Sequence, residues 1–381
     1  MDFTEPAEHH DLRKAIAAVT DTYGPQYFAQ RALAGEPTTE LWRDLGRHGF
    51  IGINIPEQYG GGGAGMVELS IVCEETAAHG CPLLLLLVSS AISAELLTRY
   101  GSPSQKAQWL PRMASGETKV VFAITEPDAG SNSRRISTTA KRDGGDYLIN
   151  GTKYYISGVD EAEALIVVTR TAEEKLSLFL VPTDAPGLVK HQLPVGISVP
   201  EKQFTLHFDN VRVPAESLVG TEHEGFQQVF DGLNPERFTG AAVCVGVGRH
   251  AIEQGAEYAR TRVVWGDPIG AHQAIAHPLA QAKINIDLAA MMTMKAAWLF
   301  DHGQPAGEAS NEVRGRRGRG SRSGPRHPIA RGERAFGRVR TPPPVGTCPA
   351  AADCTGEPRD DPQLRRATQP QTAALLLERR T

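Results

Sequence analysis

The chain is poor in cysteine. Five occur in 381 residues, at Cys73, Cys81, Cys244, Cys348 and Cys354, and no two form a Cys-x-x-Cys pair. The odd number and scattered positions argue against a zinc site and a secreted disulfide framework, so no metal and a reducing cytoplasm are expected. Long hydrophobic runs are also lacking. The longest, Pro82 to Val88, stops at Ser89-Ser90, far short of the roughly 20 apolar residues that span a bilayer. It reads as a buried helix, and no membrane span is expected. The first residues, MDFTEPAEHHDLRK, contain no apolar signal core. Nor is there an excess of positive charge: the net charge is −4 and the pI about 6.3. That balance argues against nucleic acid as a partner of the whole chain. The length leads us to expect two or three domains around a large core.

Residues 1–117 read as helical. Leu41, Leu45 and Phe50 mark one apolar stripe, and Leu69, Val72, Cys73 and Thr76 another. Between them Gly60, Gly62 and Gly65 satisfy a G-x-G-x-x-G pattern. No βαβ unit surrounds it, so a flexible connection is the better reading than a dinucleotide loop. Residues 118–225 read as short strands with Gly, Asp and Pro between them: 120–124, 136–141, 147–150, 153–156, 165–169, 176–182 and 204–213. This pattern points to a small β-barrel or sandwich. An alternating segment crosses Asp143-Gly144-Gly145-Asp146 and returns at Tyr147, which is a hairpin signal. Ahead of it, Glu126-Pro127-Asp128-Ala129-Gly130-Ser131-Asn132-Ser133 is a turn-rich loop at a strand end. Such a loop can hold a cofactor or an anion, or be an ordinary solvated connection.

Residues 226–312 return to helix. A periodic segment runs from Glu236 to Arg262, with Pro235 placed to start it and Glu236 in its first turn. Gly246, Gly248 and Ala251 mimic a dinucleotide fingerprint there, but inside a helical pattern they allow close packing. A turn through Trp265-Gly266 leads to a second helix from about Ala276 to Asp301. From Val313 the composition changes. The last 69 residues hold fifteen Arg, no Lys, no Trp or Tyr, and one Phe, Phe336. No packed core can be built from this mixture, so disorder is expected. One reading is an Arg-Gly tail that contacts RNA. Another is a shifted reading frame in a GC-rich gene.

Two motifs at a shared spacing carry a resemblance. The string Phe122 to Ser131, followed by Asn150-Gly151-Thr152-Lys153-Tyr154-Tyr155-Ile156-Ser157-Gly158, resembles the flavin-binding middle domain of the acyl-CoA dehydrogenases. The resemblance extends from about Leu41 to about Glu312. It implies an α+β chain with an N-terminal helical domain (1–117), a β domain for flavin and acyl-CoA (118–225) and a C-terminal helical bundle (226–312). That bundle is incomplete here, and an aberrant tail (313–381) follows it. It further implies FAD as cofactor and α,β-dehydrogenation of an acyl-CoA to the trans-2-enoyl-CoA, as in fatty-acid or branched-chain oxidation. Removing a proton from Cα and a hydride from Cβ needs an oxidised flavin, a carboxylate, and hydrogen bonds to the thioester carbonyl.

By the same resemblance Thr125 is a hydrogen-bond partner of the flavin ring, and Phe122 and Ile124 lie along it. Ser131 contacts flavin and acyl-CoA, Tyr155 takes the place of a Trp over the ring, and Ser157 that of a Thr donor. Arg262 reaches the FAD pyrophosphate of a neighbouring subunit, and Gln273 is another cofactor contact. Taken singly, Phe122 and Ile124 are core residues, Tyr155 a cross-strand aromatic and Arg262 a helix-end cation. Some members place the catalytic base on the first helix after the β domain, where this chain has Gly232-Leu233-Asn234-Pro235-Glu236-Arg237-Phe238. Glu236 is then the base, and Asn234 and Arg237 contact CoA. The expected partners are the acyl-CoA, an electron-transfer flavoprotein or similar acceptor, and further copies in a homodimer or homotetramer if the bundle were intact. The family's Phe-Gly-Gly-Asn-Gly motif, near one donor to the thioester carbonyl, is not in the tail, so impaired activity is expected. An O₂-using relative (acyl-CoA oxidase or monooxygenase) and a non-catalytic flavin-binding remnant are the alternatives.

Overall fold

A computed structural model describes residues 4–306. The expectations for the Arg-rich tail fall outside the described residues. Six α-helices come first: α1 (Ala7–Asp21), α2 (Gly24–Ala34), α3 (Thr39–Arg47), α4 (Met66–Ala78), α5 (Ala94–Tyr100) and α6 (Pro103–Ala114). A π-helical stretch, Leu86–Ser93, runs directly into α5. It continues the apolar run expected to be a buried helix, and Leu83, Leu85, Leu86 and Leu87 are all buried. The start of α6 is written locally. Ser102 Oγ accepts from Gln105 N at 3.2 Å, Gln105 Oε1 accepts from Ser102 N at 2.9 Å, and Pro103 fills the first turn. That reciprocal cap satisfies two otherwise orphaned donors. The glycine loop between α3 and α4 is tied down rather than flexible. Gly62 N donates to Gly52 O, Gly63 N to Ile55 O and Ala64 N to Ile53 O.

Eight strands follow: β1 (Val120–Ala123), β2 (Thr139–Asp143), β3 (Asp146–Ser157), β4 (Ala164–Ala172), β5 (Lys175–Pro182), β6 (Leu188–Leu193), β7 (Gln203–Pro214) and β8 (Leu218–Val219). They form one sheet in the order β6-β7-β3-β2-β4-β5-β8, with β1 pairing β4 in parallel. The expected hairpin is present, closed by Asp143 opposite Asp146, with Gly144 at φ 64°. Two of the expected strands, 147–150 and 153–156, are halves of β3. It passes through the Asn150-Gly151 break with register shifts against β7. β6 escapes the sequence reading because four of its six residues are exposed and its apolar residues do not alternate with polar ones.

The central strands are covered on both faces. Along β4, Leu165 and Val167 join a core shared with α4, the π-helical stretch and α7, while Ala164, Ile166 and Val168 join a second core under α5 and α6. The period of two in a strand divides one run of apolar residues between two cores.

After the sheet come α7 (Gly225–Thr261), a two-stranded hairpin of β9 (Val263–Val264) and β10 (Asp267–Pro268), and α8 (Gln273–Asp301). Here the structure corrects the sequence reading. Pro235 does not start a helix: it lies inside α7, and Glu236 is well past the first turn. A helical proline forfeits one backbone bond and costs about 3 kcal/mol. Packing offsets this cost, because Gly232 and Pro235 are buried and a Cβ on Gly232 would stand 2.9 Å from Leu96 Cγ. Elsewhere on α7, Gly246 lets the helix approach α4. A Cβ there would lie 2.1 Å from Glu74 O and 2.7 Å from Ala77 Cβ. The far end of α8 returns to α4, where the Asp301 carboxylate accepts from Met66 N at 2.8 Å and Val67 N at 3.0 Å.

This packing gives a paired expectation. Gly246→Ala should lower stability by about 1–3 kcal/mol through overpacking. Gly255→Ala, whose Cβ would meet only Leu279 Cδ2 at 3.5 Å, should be neutral or stabilising by up to about 1 kcal/mol. Denaturant unfolding of the two variants measures the contrast, and equal losses would show that helix approach at Gly246 is not the constraint.

Candidate active site

Three residues at the end of β1 are tied to β3 one after another. Lys153 Nζ donates to Ile124 O at 3.1 Å, Tyr154 N to Thr125 O at 2.8 Å, and Lys153 Nζ again to Glu126 Oε1 at 2.9 Å. Lys153 has no exposed side-chain surface, and Glu126 only 3%. The carboxylate is saturated from the other side: Glu126 Oε2 accepts from Ser137 N and Ser137 Oγ, each at 2.7 Å, and Oε1 accepts from Thr138 N at 3.0 Å. One side chain therefore joins both ends of the loop between β1 and β2. Inside the loop, Glu126 and Ala129 exchange backbone bonds of 3.1 Å, and Asp128, Gly130 and Ser131 are exposed.

Burial would raise the Glu126 carboxyl, but the ammonium beside it and the donors from Ser137 and Thr138 hold it down at about 2. Burial lowers Lys153 to about 8 against the pull of Glu126. Both groups are charged at neutral pH.

Immediately after Lys153 the strand bulges. The register shifts between Lys153 and Ile156, and Tyr155 takes a φ of 56°. A non-glycine residue in the left-handed region is uncommon, and strain of this kind clusters at functional sites. The bulge turns Tyr155 outward, with 58% of its surface exposed and its ring edge-on to Tyr154. Ser157 ends the strand half-buried, its Oγ donating to Gln203 Oε1 at 3.0 Å. Close by in sequence, Glu201 accepts from Leu84 N at 2.9 Å, and its burial pushes the carboxyl up to about 7. That contact ties the loop before β7 to the start of the π-helical run. Ile124 and Thr125 are half-buried, whereas the Phe122 side chain is buried in the second core. Only the Phe122 backbone can therefore line a ligand.

A second group of expected site residues lies on α7. Gly232, Glu236 and Gly240 follow one another at i, i+4 and i+8, so they share a face. A Cβ on Gly232 would meet Leu96 and Ile92, and one on Gly240 would meet Leu87 Cδ2 at 3.3 Å. Glu236, half-buried, thus sits on the face that α7 turns to the π-helical stretch. π-helical insertions are frequent at functional sites. Flanking Glu236, Arg237 Nη1 donates to Asn234 Oδ1 at 3.0 Å.

Arg262 and Gln273 belong to a separate group at the far end of α7. Both are exposed, and Ile269 N donates to Arg262 O at 2.8 Å. The hairpin tip is Trp265-Gly266, at φ 55° and 93°, with Trp265 91% exposed. His272, beside Trp265, has a buried Nε2 with no hydrogen-bond partner among the described residues. A cavity of about 380 Å³ between α4, α5 and α8 is lined by Asn54, Glu68, Glu95, Arg99, Phe300 and Asp301 among others, and contains none of the expected site residues.

The sequence reading quoted Lys153 and Glu126 within its motifs but gave them no role. The signal was there: Tyr147, Ile149 and Lys153 fall on one face of β3, and a lysine on an inward register requires a buried acid.

Three family models match in succession: acyl-CoA dehydrogenase N-terminal domain over residues 6–117, middle domain over 121–211 and C-terminal domain over 223–314. The chain is 51% identical over 312 residues to acyl-CoA dehydrogenase FadE12 of Mycobacterium tuberculosis, covering 81% of this chain and 80% of that one. It is 32% identical over 288 residues to the mitochondrial long-chain specific acyl-CoA dehydrogenase of Sus scrofa, covering 74% and 67%. Among solved structures it resembles a glutaryl-CoA dehydrogenase from Mycobacterium smegmatis in complex with FADH2. That likeness has a TM-score of 0.76 at 27% identity and covers 81% of this chain and 80% of the other.

The Glu126 site carries an acid-sensitivity expectation. A carboxylate with a depressed folded pKa stabilises fully above its unfolded value, about 4.3, and loses that contribution as pH falls through its folded value. Between pH 5 and pH 2 the melting temperature of the wild type should therefore fall more steeply than that of Glu126→Gln. Parallel slopes in thermal unfolding would contradict the assignment.

Proposed function

The chain belongs to the acyl-CoA dehydrogenase family, and from this premise we propose that it removes hydrogen across the Cα–Cβ bond of an acyl-CoA thioester to give the trans-2-enoyl-CoA, with FAD as cofactor and Glu236 as base. The observation that carries the base assignment is the placement of Glu236 between Gly232 and Gly240, on the α7 face turned to Leu87, Ile92 and Leu96. An apolar wall there excludes water from the acyl chain and leaves the carboxylate to take the α proton.

The residues present fit a flavin. Tyr155 offers an exposed aromatic face beside the end of β1, Thr125 is half-buried there, and Ser157 is half-buried at the end of the same strand as Tyr155. FAD, when bound, supplies the acceptor for the hydride leaving Cβ. Thr125, Ser157, Ser131 and the backbone of Phe122 and Ile124 would hold the flavin, and Ser131 would contact the acyl-CoA as well. Asn234 and Arg237, one pair on α7, contact the CoA moiety.

Arg262 and Gln273, exposed on either side of the far hairpin near the orphaned His272 Nε2, contact FAD, Arg262 reaching that of a neighbouring copy in a homo-oligomer. The exposed Trp265, Tyr258 and Val263 around them support this reading. Residues 1–117, 118–225 and 226–312 form the three domains of this arrangement, and an electron-transfer flavoprotein is the acceptor class. No helix among the described residues is long and apolar enough to cross a membrane, and a cytoplasmic enzyme of fatty-acid or branched-chain oxidation is proposed. With residues 313–381 as they stand, the family's late C-terminal loop, which supplies one donor to the thioester carbonyl, is not recognisable, and impaired activity is proposed because loss of one such donor costs on the order of 100-fold or more in rate.

Glu236→Gln should retain flavin and lose bleaching of the flavin by acyl-CoA. Anaerobic stopped-flow spectroscopy reads both, and bleaching at an undiminished rate would remove Glu236 from the role of base.

A further inference from the structure

We propose that the Lys153–Glu126 ion pair is a positioning device for the cofactor site: it holds the loop bearing Thr125 and Ser131 against the bulged strand bearing Tyr155 and Ser157. This inference rests on the flavin site proposed above. Its geometry is independent of any ligand. Lys153 Nζ bonds Ile124 O and Glu126 Oε1, and Tyr154 N bonds the intervening Thr125 O. Three consecutive residues leaving β1 are thereby fixed to the two residues that open the bulge. The same carboxylate takes Ser137 N, Ser137 Oγ and Thr138 N, closing the far end of the loop. Past that point the loop is held by β4, where Arg170 Nε donates to Ile136 O at 2.8 Å and Arg170 N to Thr138 O at 2.7 Å.

A purely stabilising role explains little of this. Burying two charges costs about as much as their attraction returns, and apolar replacements of a buried pair are often neutral. An aliphatic pair in the same space would hold no backbone carbonyl and close no loop. The distinctive property of this pair is that each member bonds the backbone of the loop as well as the other member. Register, rather than net stability, is what it supplies to the flanking Thr125 and Tyr155.

The double variant Lys153→Met/Glu126→Gln removes both charges and leaves no uncompensated ion. Two measurements read it: amide hydrogen exchange in the apoprotein, and FAD binding to the apoprotein by flavin fluorescence. The positioning role predicts exchange about tenfold or more faster across residues 125–138, with the rest of the sheet unchanged. It also predicts FAD binding weaker by roughly tenfold or more, because an ordered site is lost. Ser137→Ala keeps the pair but removes one donor, and should speed exchange in the same segment by a few-fold if the double variant does not fold. Wild-type exchange across 125–138 in either folded variant would overturn the inference, as would wild-type FAD affinity in the double variant. Failure of the unaltered protein to bind FAD would instead overturn the function proposed above, since the exchange measurement needs no flavin.

Discussion

A lysine ammonium with no exposed surface is costly to bury, and in this chain that cost constrains where the loop after β1 can go. Lys153 is satisfied only if Glu126 and the Ile124 carbonyl lie beneath β3. Glu126 in turn is satisfied by the amides that begin the approach to β2. A loop otherwise rich in exposed turn residues thus has a single closure. The bulge that follows Lys153 turns Tyr155 to solvent beside it. Sequence, backbone register and the direction of an aromatic ring are connected here by one pair of charges.

The placement of the α7 face depends on sterics instead. α7 reaches the π-helical stretch because Gly232 and Gly240 have no side chains to keep it away, and reaches α4 because Gly246 has none. Glu236 lies between the first two. Its position owes nothing to a helix N-terminus: Pro235 sits inside α7, so the favourable N-terminal charge effect that could have explained an acid at this place does not apply. Glu236 is a half-buried carboxylate on the α7 face turned to Leu87, Ile92 and Leu96, and its proposed role as base rests on that placement.

Much of this was legible in the sequence, for identifiable reasons. The β2–β3 hairpin announces itself through alternation and an Asp-Gly-Gly-Asp turn. The buried helix after Pro82 is an apolar run too short for a membrane. Other features were hidden because tertiary packing overrode a local signal. Pro235 looks like a helix start and is not one, since contacts with Ile92 and Leu96 support the helix through it. Asn150-Gly151 looks like a strand break, yet β3 continues because β2 and β7 flank it on both sides. β6 is an exposed edge strand with no apolar alternation to reveal it. Thr125, Tyr155 and Ser157 are singled out by the resemblance of two motifs. The Lys153–Glu126 closure that relates them needed coordinates, although a charged residue on an inward strand position was the available clue.

The central claim is that the β1 loop and the α7 face together make a flavin-dependent acyl-CoA dehydrogenase site. The most direct measurement is the visible spectrum of the purified, FAD-reconstituted protein before and after anaerobic addition of acyl-CoAs of graded chain length. The account predicts a yellow protein whose flavin absorbance falls with at least one acyl-CoA. A protein that stays colourless after reconstitution, or a flavin spectrum unchanged by every acyl-CoA tried, would contradict it.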